Sequence, residues 1–195
     1  AHPCETGMSV IAAYYYNKGL RVREIAIDEQ VQLDKDRSGF CWIALREPTA
    51  DELKAIQTTY NLHPVAIDNA MHPLCPPKLE AYNEELYVVA QTAELDGDQI
   101  RYGKMAIFTG HNHLISVRHG NGGALGNLRE QLEASPALFG KGVDYVLHAI
   151  LHRIVDQYLP IFEMIEDDVL AMERRSLDDF LGRAELDRIF GLRSE

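Results

Sequence analysis

The feature that most constrains the fold is a long helical pattern from Asp144 to about Arg175. Apolar residues recur there with the 3.6-residue period of an α-helix, which places them on one face. They are Leu147, Ile150, Leu151, Ile154, Tyr158, Ile161, Ile165, Val169 and Met172. At about 1.5 Å per residue this helix extends for roughly 50 Å, more than a small domain needs. Pro160 is expected to kink it, because proline removes one hydrogen-bond donor.

A turn over Ser176–Asp179 and a second helix from about Phe180 are predicted to follow. The long apolar stripe needs a partner helix, which the sequence supplies only in part. Residues 141–195 are therefore predicted to form a helical arm that is cut within its second helix.

Patterns of strands and short helices fill the sequence before this arm. Thr49 and Glu52 form a capping box that opens a helix, and Pro64 opens a shorter helix that ends at His72-Pro73. A further short helix is predicted over Ala124–Glu133, ended by Pro136. Strands are predicted over Ser9–Tyr16, Leu20–Ile27, Phe40–Leu45, Lys78–Tyr82, Leu86–Gln91, Ile100–Thr109 and Leu114–His119.

This order predicts an α/β fold, in which a mixed β-sheet flanked by short helices occupies residues 8–140 and a long projecting helical arm follows. Residues 1–7 precede Met8, which resembles a natural start, so they are interpreted as an addition to the natural chain.

The composition excludes several classes of protein. With 46% hydrophobic residues, the 195-residue chain can bury one core, but no run of about eighteen apolar residues is present, so no membrane span is predicted. The net charge of −11 argues against nucleic acid and anionic lipid as partners and favours cations. Cys4, Cys41 and Cys75 are odd in number and far apart, which fits reduced thiols in a cytosol.

No motif of an enzyme stands out. The run from Gly120 to Gly123 lacks the spacing and the lysine of a phosphate-binding loop, and Ser116 lies within a predicted strand. Cys41 and Cys75 have no basic neighbour in sequence that would activate a thiol. The sequence therefore predicts that the protein is not an enzyme. A metal-dependent enzyme or a stand-alone acidic interaction module remains the alternative of another class.

Carboxylates lie opposite the apolar stripe of the long helix. Asp156, Glu163 and Asp167 fall close to one line, and Glu166 lies beside them. They form either a solvated acidic face or a site for a hard cation such as Mg²⁺, which binds carboxylate oxygens and keeps most of its waters.

Two histidines on the same helix allow a second metal. His148, His152 and Asp156 follow at intervals of four residues, an arrangement compatible with Zn²⁺. Ala149 occupies the position where the metalloprotease motif has glutamate. Exposed or capping histidines are the preferred interpretation, with Zn²⁺ as the alternative.

Several stretches together resemble the CorA family of divalent-cation transporters. These are HPVAIDNA at residues 63–70, the proline pair followed by KLEAY, ELYVV, WIALREPT followed by DEL, and DYVLHAILHRIVDQYLP. The matches run in constant order from Phe40 to Met172, which is more specific than any single motif. The family's transmembrane segments and Gly-Met-Asn signature are not in this sequence. The resemblance therefore implies an isolated cytoplasmic domain.

The resemblance also implies a function for the whole protein, a homopentameric inner-membrane channel for Mg²⁺ that also carries Co²⁺ or Ni²⁺. Cytoplasmic domains of the family bind regulatory Mg²⁺ between subunits. Mapped by motif, Asp68 and Asn69 stand where the family usually has Glu-Asp, and Glu166 or Asp167 stands at the long-helix position. Asn69 brings no charge, so weak Mg²⁺ binding is expected. A zinc-transporting relative of the same fold is the alternative within transport.

Overall fold

The structure is a computed structural model that describes residues 9–31, 39–72, 75–120 and 125–178, with side chains as far as Glu173. The elements in chain order are β1 (Val10–Asn17), β2 (Leu20–Glu24), β3 (Gly39–Arg46), α1 (Ala50–Tyr60), α2 (Pro64–Met71), β4 (Lys78–Tyr82), β5 (Glu85–Asp96), β6 (Gln99–Thr109), β7 (His113–Gly120), α3 (Leu128–Glu133), α4 (Pro136–Phe139) and α5 (Val143–Asp178). The chain divides into two compact units, Ala1–Gln157 and Tyr158–Glu195, so α5 begins in the first unit and ends in the second. The predicted division at residue 140 stays a prediction.

One mixed sheet contains all seven of these strands, in the order β2-β1-β3-β7-β6-β5-β4. β3 and β7 pair in parallel, and every other neighbouring pair is antiparallel. This confirms the predicted α/β fold with a mixed sheet, short helices and a long helix after them. The seven predicted strands are also present, although β2 ends at Glu24 rather than at Ile27, and β5 is longer than predicted because it pairs with β6 from Leu86 to Asp96.

The turn between β1 and β2 has a close packing requirement. Lys18 and Gly19 both have positive φ, 51° and 77°, as the preferred two-residue hairpin turns require. A Cβ atom on Gly19 would lie 2.0 Å from the carbonyl oxygen of Pro136. Glycine is therefore needed both for the turn and for the contact with α4.

Helices cover both faces of the sheet, because side chains of a strand alternate between its two faces. On one face, buried residues of β3 such as Cys41 and Ile43 belong to the same core cluster as Leu53 of α1 and Ala66 of α2. On the other face, Phe139 of α4 contacts three aromatic rings of the sheet. Its ring centroid lies 5.4 Å from that of Phe40, 6.3 Å from that of Trp42 and 4.8 Å from that of Tyr16.

Some predicted helix boundaries were wrong. α3 begins at Leu128 rather than at Ala124, and Pro136, predicted only to end that helix, starts α4. A proline at the first helical position costs nothing, because its missing N–H would have no partner there. The predicted turn at Ser176 is also wrong, since α5 continues to Asp178, whereas the helix predicted from Phe180 lies outside the described residues.

The long helix α5 is confirmed as a single helix that continues through Pro160. In the first unit its predicted apolar face is buried at Ile150 and Ile154, and Val146, which was not predicted to belong to that face, is also buried. In the second unit Ile161 is buried, whereas Val169 is 43% exposed. None of the helices that the structure describes is long and apolar enough to cross a membrane.

Candidate metal site

Asp68 is presented to solvent by the short helix α2. His63 occupies the N-cap position and Pro64 follows as the first helical residue. Ala66, Ile67 and Ala70 are buried, so the helix packs on the sheet through that side. Asp68 is exposed and Asn69 is half-buried. The predicted pair on α2 is thus available to a ligand.

One imidazole lies near the Asp68 carboxylate. His72 Nε2 is 3.7 Å from Asp68 Oδ1, and the two side chains are 68% and 66% exposed. Contacts between exposed charged groups contribute little to stability because water screens them. The contact with His72 is therefore weak and does not prevent the Asp68 carboxylate from binding a ligand.

The C-terminal end of α2 is bound by a buried lysine from β6. Lys104 Nζ donates hydrogen bonds to the carbonyl oxygens of Asn69 at 3.1 Å, of Ala70 at 3.0 Å, and of His72. The last carbonyls of a helix have no partner within it and carry partial negative charge, which an ammonium group with three donors satisfies. Burial lowers the pKa of Lys104. The backbone that carries Asn69 is thereby fixed to the sheet.

A histidine from β7 contacts the same helix end. His119 Nε2 is 2.9 Å from the Ala70 carbonyl oxygen, and His119 Nδ1 is 2.7 Å from Glu47 Oε2. Both partners are acceptors when Glu47 is ionised, so each ring nitrogen of His119 faces an acceptor.

Glu47 completes this arrangement. Its other oxygen accepts from the Gly120 backbone N–H at 2.7 Å. Burial raises the pKa of Glu47, but the hydrogen bonds from Gly120 and His119 outweigh it and lower the pKa below the usual value. Lys104, His119 and Glu47 thus hold the end of α2, and sequence reasoning missed all three. The one signal was a lysine directly before the apolar residues 105–108 of β6.

The other predicted Mg²⁺ ligands lie on α5. Glu163, Glu166 and Asp167 belong to the second unit, and all three side chains are exposed. They are accessible to a cation or to another protein surface.

The weaker Zn²⁺ candidates lie in the first unit, where only part of the set comes together. His152 Nδ1 is 3.1 Å from Asp156 Oδ2, and the rings of His148 and His152 have centroids 6.0 Å apart. Among the residues that the structure describes, no group of three or more His, Cys, Asp or Glu side chains is arranged to hold a metal ion. The Zn²⁺ and Mg²⁺ ligand sets both stay predictions.

Comparisons with known proteins identify a family. Residues 37–195 match the family model described as CorA-like Mg2+ transporter protein. YfjQ of Bacillus subtilis is 24% identical over 154 residues, which cover 79% of this chain and 47% of that protein. The cobalt/magnesium transport protein CorA of Methanocaldococcus jannaschii is 23% identical over 154 residues, which cover 78% of this chain and 48% of that protein.

The fold is shared with a solved structure. The soluble domain of CorA from Methanocaldococcus jannaschii aligns with a TM-score of 0.70 at 19% identity, over 96% of this chain and 72% of that one. The chain spans about half the length of the curated relatives it matches.

Proposed function

Because this chain belongs to the CorA-like Mg²⁺ transporter family, we propose that it is the cytoplasmic, Mg²⁺-sensing domain of a divalent-cation transporter. The observation that carries the proposal is the family match over residues 37–195, which includes α2 and α5. The whole protein then moves Mg²⁺, and also Co²⁺ or Ni²⁺, across the inner membrane. Its assembly is a homopentamer.

The sensing site is formed by Asp68 and Asn69 of one copy with Glu166 or Asp167 of another. The exposure of Asp68, Glu166 and Asp167 supports this, since each carboxylate is accessible to a second copy. Mg²⁺ retains most of its water and takes one or two carboxylates directly. One or two carboxylates contributed by the two copies are therefore enough to bind Mg²⁺.

The proposed regulation follows from electrostatics. Carboxylates brought together between two copies repel each other, and a divalent cation neutralises them. The cation therefore stabilises the assembly in which these surfaces face each other, and its loss favours the other state. Asn69 lacks a charge, which makes binding weak and keeps much of the contact mediated by water.

A Mg²⁺ titration of this chain by calorimetry tests the proposal. We expect weak binding in the wild type, loss of binding in Asp68→Ala, and binding at least about fivefold tighter in Asn69→Asp, since one more nearby carboxylate contributes about 1 kcal/mol. Asp98→Ala is the matched control, because Asp98 is an exposed carboxylate in the turn between β5 and β6. Equal affinities in the wild type and Asp68→Ala would show that α2 is not the sensor.

A further inference from the structure

A cavity of about 300 Å³ lies on the sheet face that α3 and α4 cover. Its walls are mostly apolar and come from β1, β3, β6, β7, α3 and the segment before α3. They include Ile11, Ala44, Leu45, Met105 and Leu125. The volume is at the small end of the range for pockets that bind organic molecules. The cavity is on the opposite face from α2 and is separate from the candidate metal site.

Two arginines line this apolar cavity. The guanidinium of Arg129 stacks on Trp42, with Cζ 3.9 Å from the ring centroid, and donates a hydrogen bond of 3.0 Å to the Tyr16 hydroxyl. Arg118 Nε is buried and has no hydrogen-bond partner among the described residues. Burial and the neighbouring charge of Arg46 lower the pKa of Arg118. The carboxylates of Glu94 and Glu47 act in the opposite direction but do not outweigh these two effects.

A third arginine lies beside the cavity. A Cβ atom on Gly126, which lines the cavity, would be 3.4 Å from Arg153 Nη2. Arg153 Nε is also buried without a hydrogen-bond partner in the described part of the chain. In that part of the chain none of the three arginines forms an ion pair with a carboxylate, although the charge of Arg129 helps to lower the pKa of Glu133. This is unusual in a chain with a net charge of −11, where carboxylates outnumber cationic side chains.

The cavity wall contains one more donor without a partner. Trp42 is 1% exposed, and its indole Nε1 has no hydrogen-bond partner among the residues described. Buried donors are nearly always satisfied in native proteins, and leaving one without a partner is costly. The indole N–H and Arg118 Nε have almost no accessible surface, so a ligand in the cavity is bound instead by the guanidinium groups that line it.

We infer that this cavity binds a small organic anion, in which a carboxylate or phosphate group is attached to an apolar body. The forked guanidinium groups of Arg118 and Arg129 match the oxygens of such a group in bidentate geometry. The apolar body lies against Met105, Ala44 and the Trp42 ring. A metal cation is repelled by these charges, and a neutral molecule leaves the guanidinium donors without acceptors.

Fluorescence of Trp42 tests this site directly, because the chain contains one tryptophan. Wild-type protein is titrated with phenyl phosphate, benzoate, inorganic phosphate and benzyl alcohol, and the heats are measured in parallel. We expect saturable binding of phenyl phosphate or benzoate, and the tighter of the two identifies the preferred head group. Inorganic phosphate and benzyl alcohol are each expected to bind at least about tenfold more weakly, since each lacks one half of the ligand.

Variants locate the binding in the cavity. Arg118→Gln and Arg129→Gln are each expected to weaken binding about tenfold, the effect of one charge-assisted hydrogen bond. Arg101→Gln is the control, because Arg101 is exposed on β6 and pairs with Asp96. If a variant fails to fold, the relative affinities of the four ligands for the wild-type protein still test whether the cavity binds an organic anion. Absence of saturable binding, equal binding of benzyl alcohol, or an equal loss in Arg101→Gln would overturn the inference.

Discussion

Glu85 and His113 show how burial alone changes the chemistry of individual side chains. His113 Nε2 is 3.7 Å from Glu85 Oε1, and the side chains are 6% and 23% exposed. Burial raises the pKa of Glu85 to about 7 and lowers the pKa of His113 to about 4, because each charged form loses hydration. Both residues therefore favour their neutral forms near pH 6, and their effects on stability have opposite signs.

The variant Glu85→Gln tests this at the residue scale. A carboxyl whose pKa is higher in the folded state than its ordinary value of 4.5 destabilises the protein as the pH rises from about 4.5 to about 7. Glutamine cannot ionise. The free energy of unfolding of Glu85→Gln is therefore expected to increase relative to wild type across this window, by up to roughly 3 kcal/mol.

Urea denaturation at the two ends of the window measures the effect. His113 contributes stability that increases with pH between about 4 and 6.5, but this contribution is common to both proteins and cancels in the comparison. Glu84→Gln is the control, since Glu84 is the exposed neighbour. A stability difference that stays constant with pH would contradict the raised pKa of Glu85.

At the scale of elements, α2 depends on the sheet for its position. It is a short helix, and its C-terminal carbonyls are satisfied by Lys104 of β6 and His119 of β7. Isolated helices of this length are unstable in water, so these contacts and the buried side of α2 determine where Asp68 lies. The position of the candidate site is therefore determined by the contacts that attach α2 to the sheet.

Lys104→Met is expected to destabilise the protein by about 2–4 kcal/mol, because it leaves several buried carbonyl groups without a donor. The measurement is the free energy of unfolding in urea. Lys54→Met is the control, since Lys54 is exposed on α1 and should change stability little. If the free energy of unfolding fell by the same small amount in both variants, Lys104 would not be the main contact of the α2 C-terminus.

Local sequence signals predicted most of the helices and strands. They could not predict contacts between residues that lie far apart in the sequence. Pro64 and His72-Pro73 gave the bounds of α2, and the capping box of Thr49 and Glu52 is present, with the Thr49 backbone N–H 2.7 Å from Glu52 Oε2. Pro136 was misinterpreted because proline can either follow a helix or begin one. The contacts of Lys104 join residues more than 30 positions apart. No periodicity or spacing along the chain reveals such a contact.

At the scale of the whole molecule, family membership and charge lead to the same account. The match covers residues 37–195, whereas the chain spans about half the length of its curated relatives. The net charge of −11 makes copies of the chain repel one another in the absence of cations. Under the proposed function, the missing attraction is supplied by a divalent cation bound between Asp68 of one copy and the α5 carboxylates of another.

Sedimentation velocity with and without Mg²⁺ tests this central claim most directly, with wild type and Asp68→Ala compared at the same micromolar concentration. The account predicts a monomer or weak oligomer without Mg²⁺, and self-association that increases with Mg²⁺ in the wild type but not in Asp68→Ala. A tight pentamer without metal, or association that Mg²⁺ leaves unchanged in the wild type, would contradict a cation-dependent interface at α2.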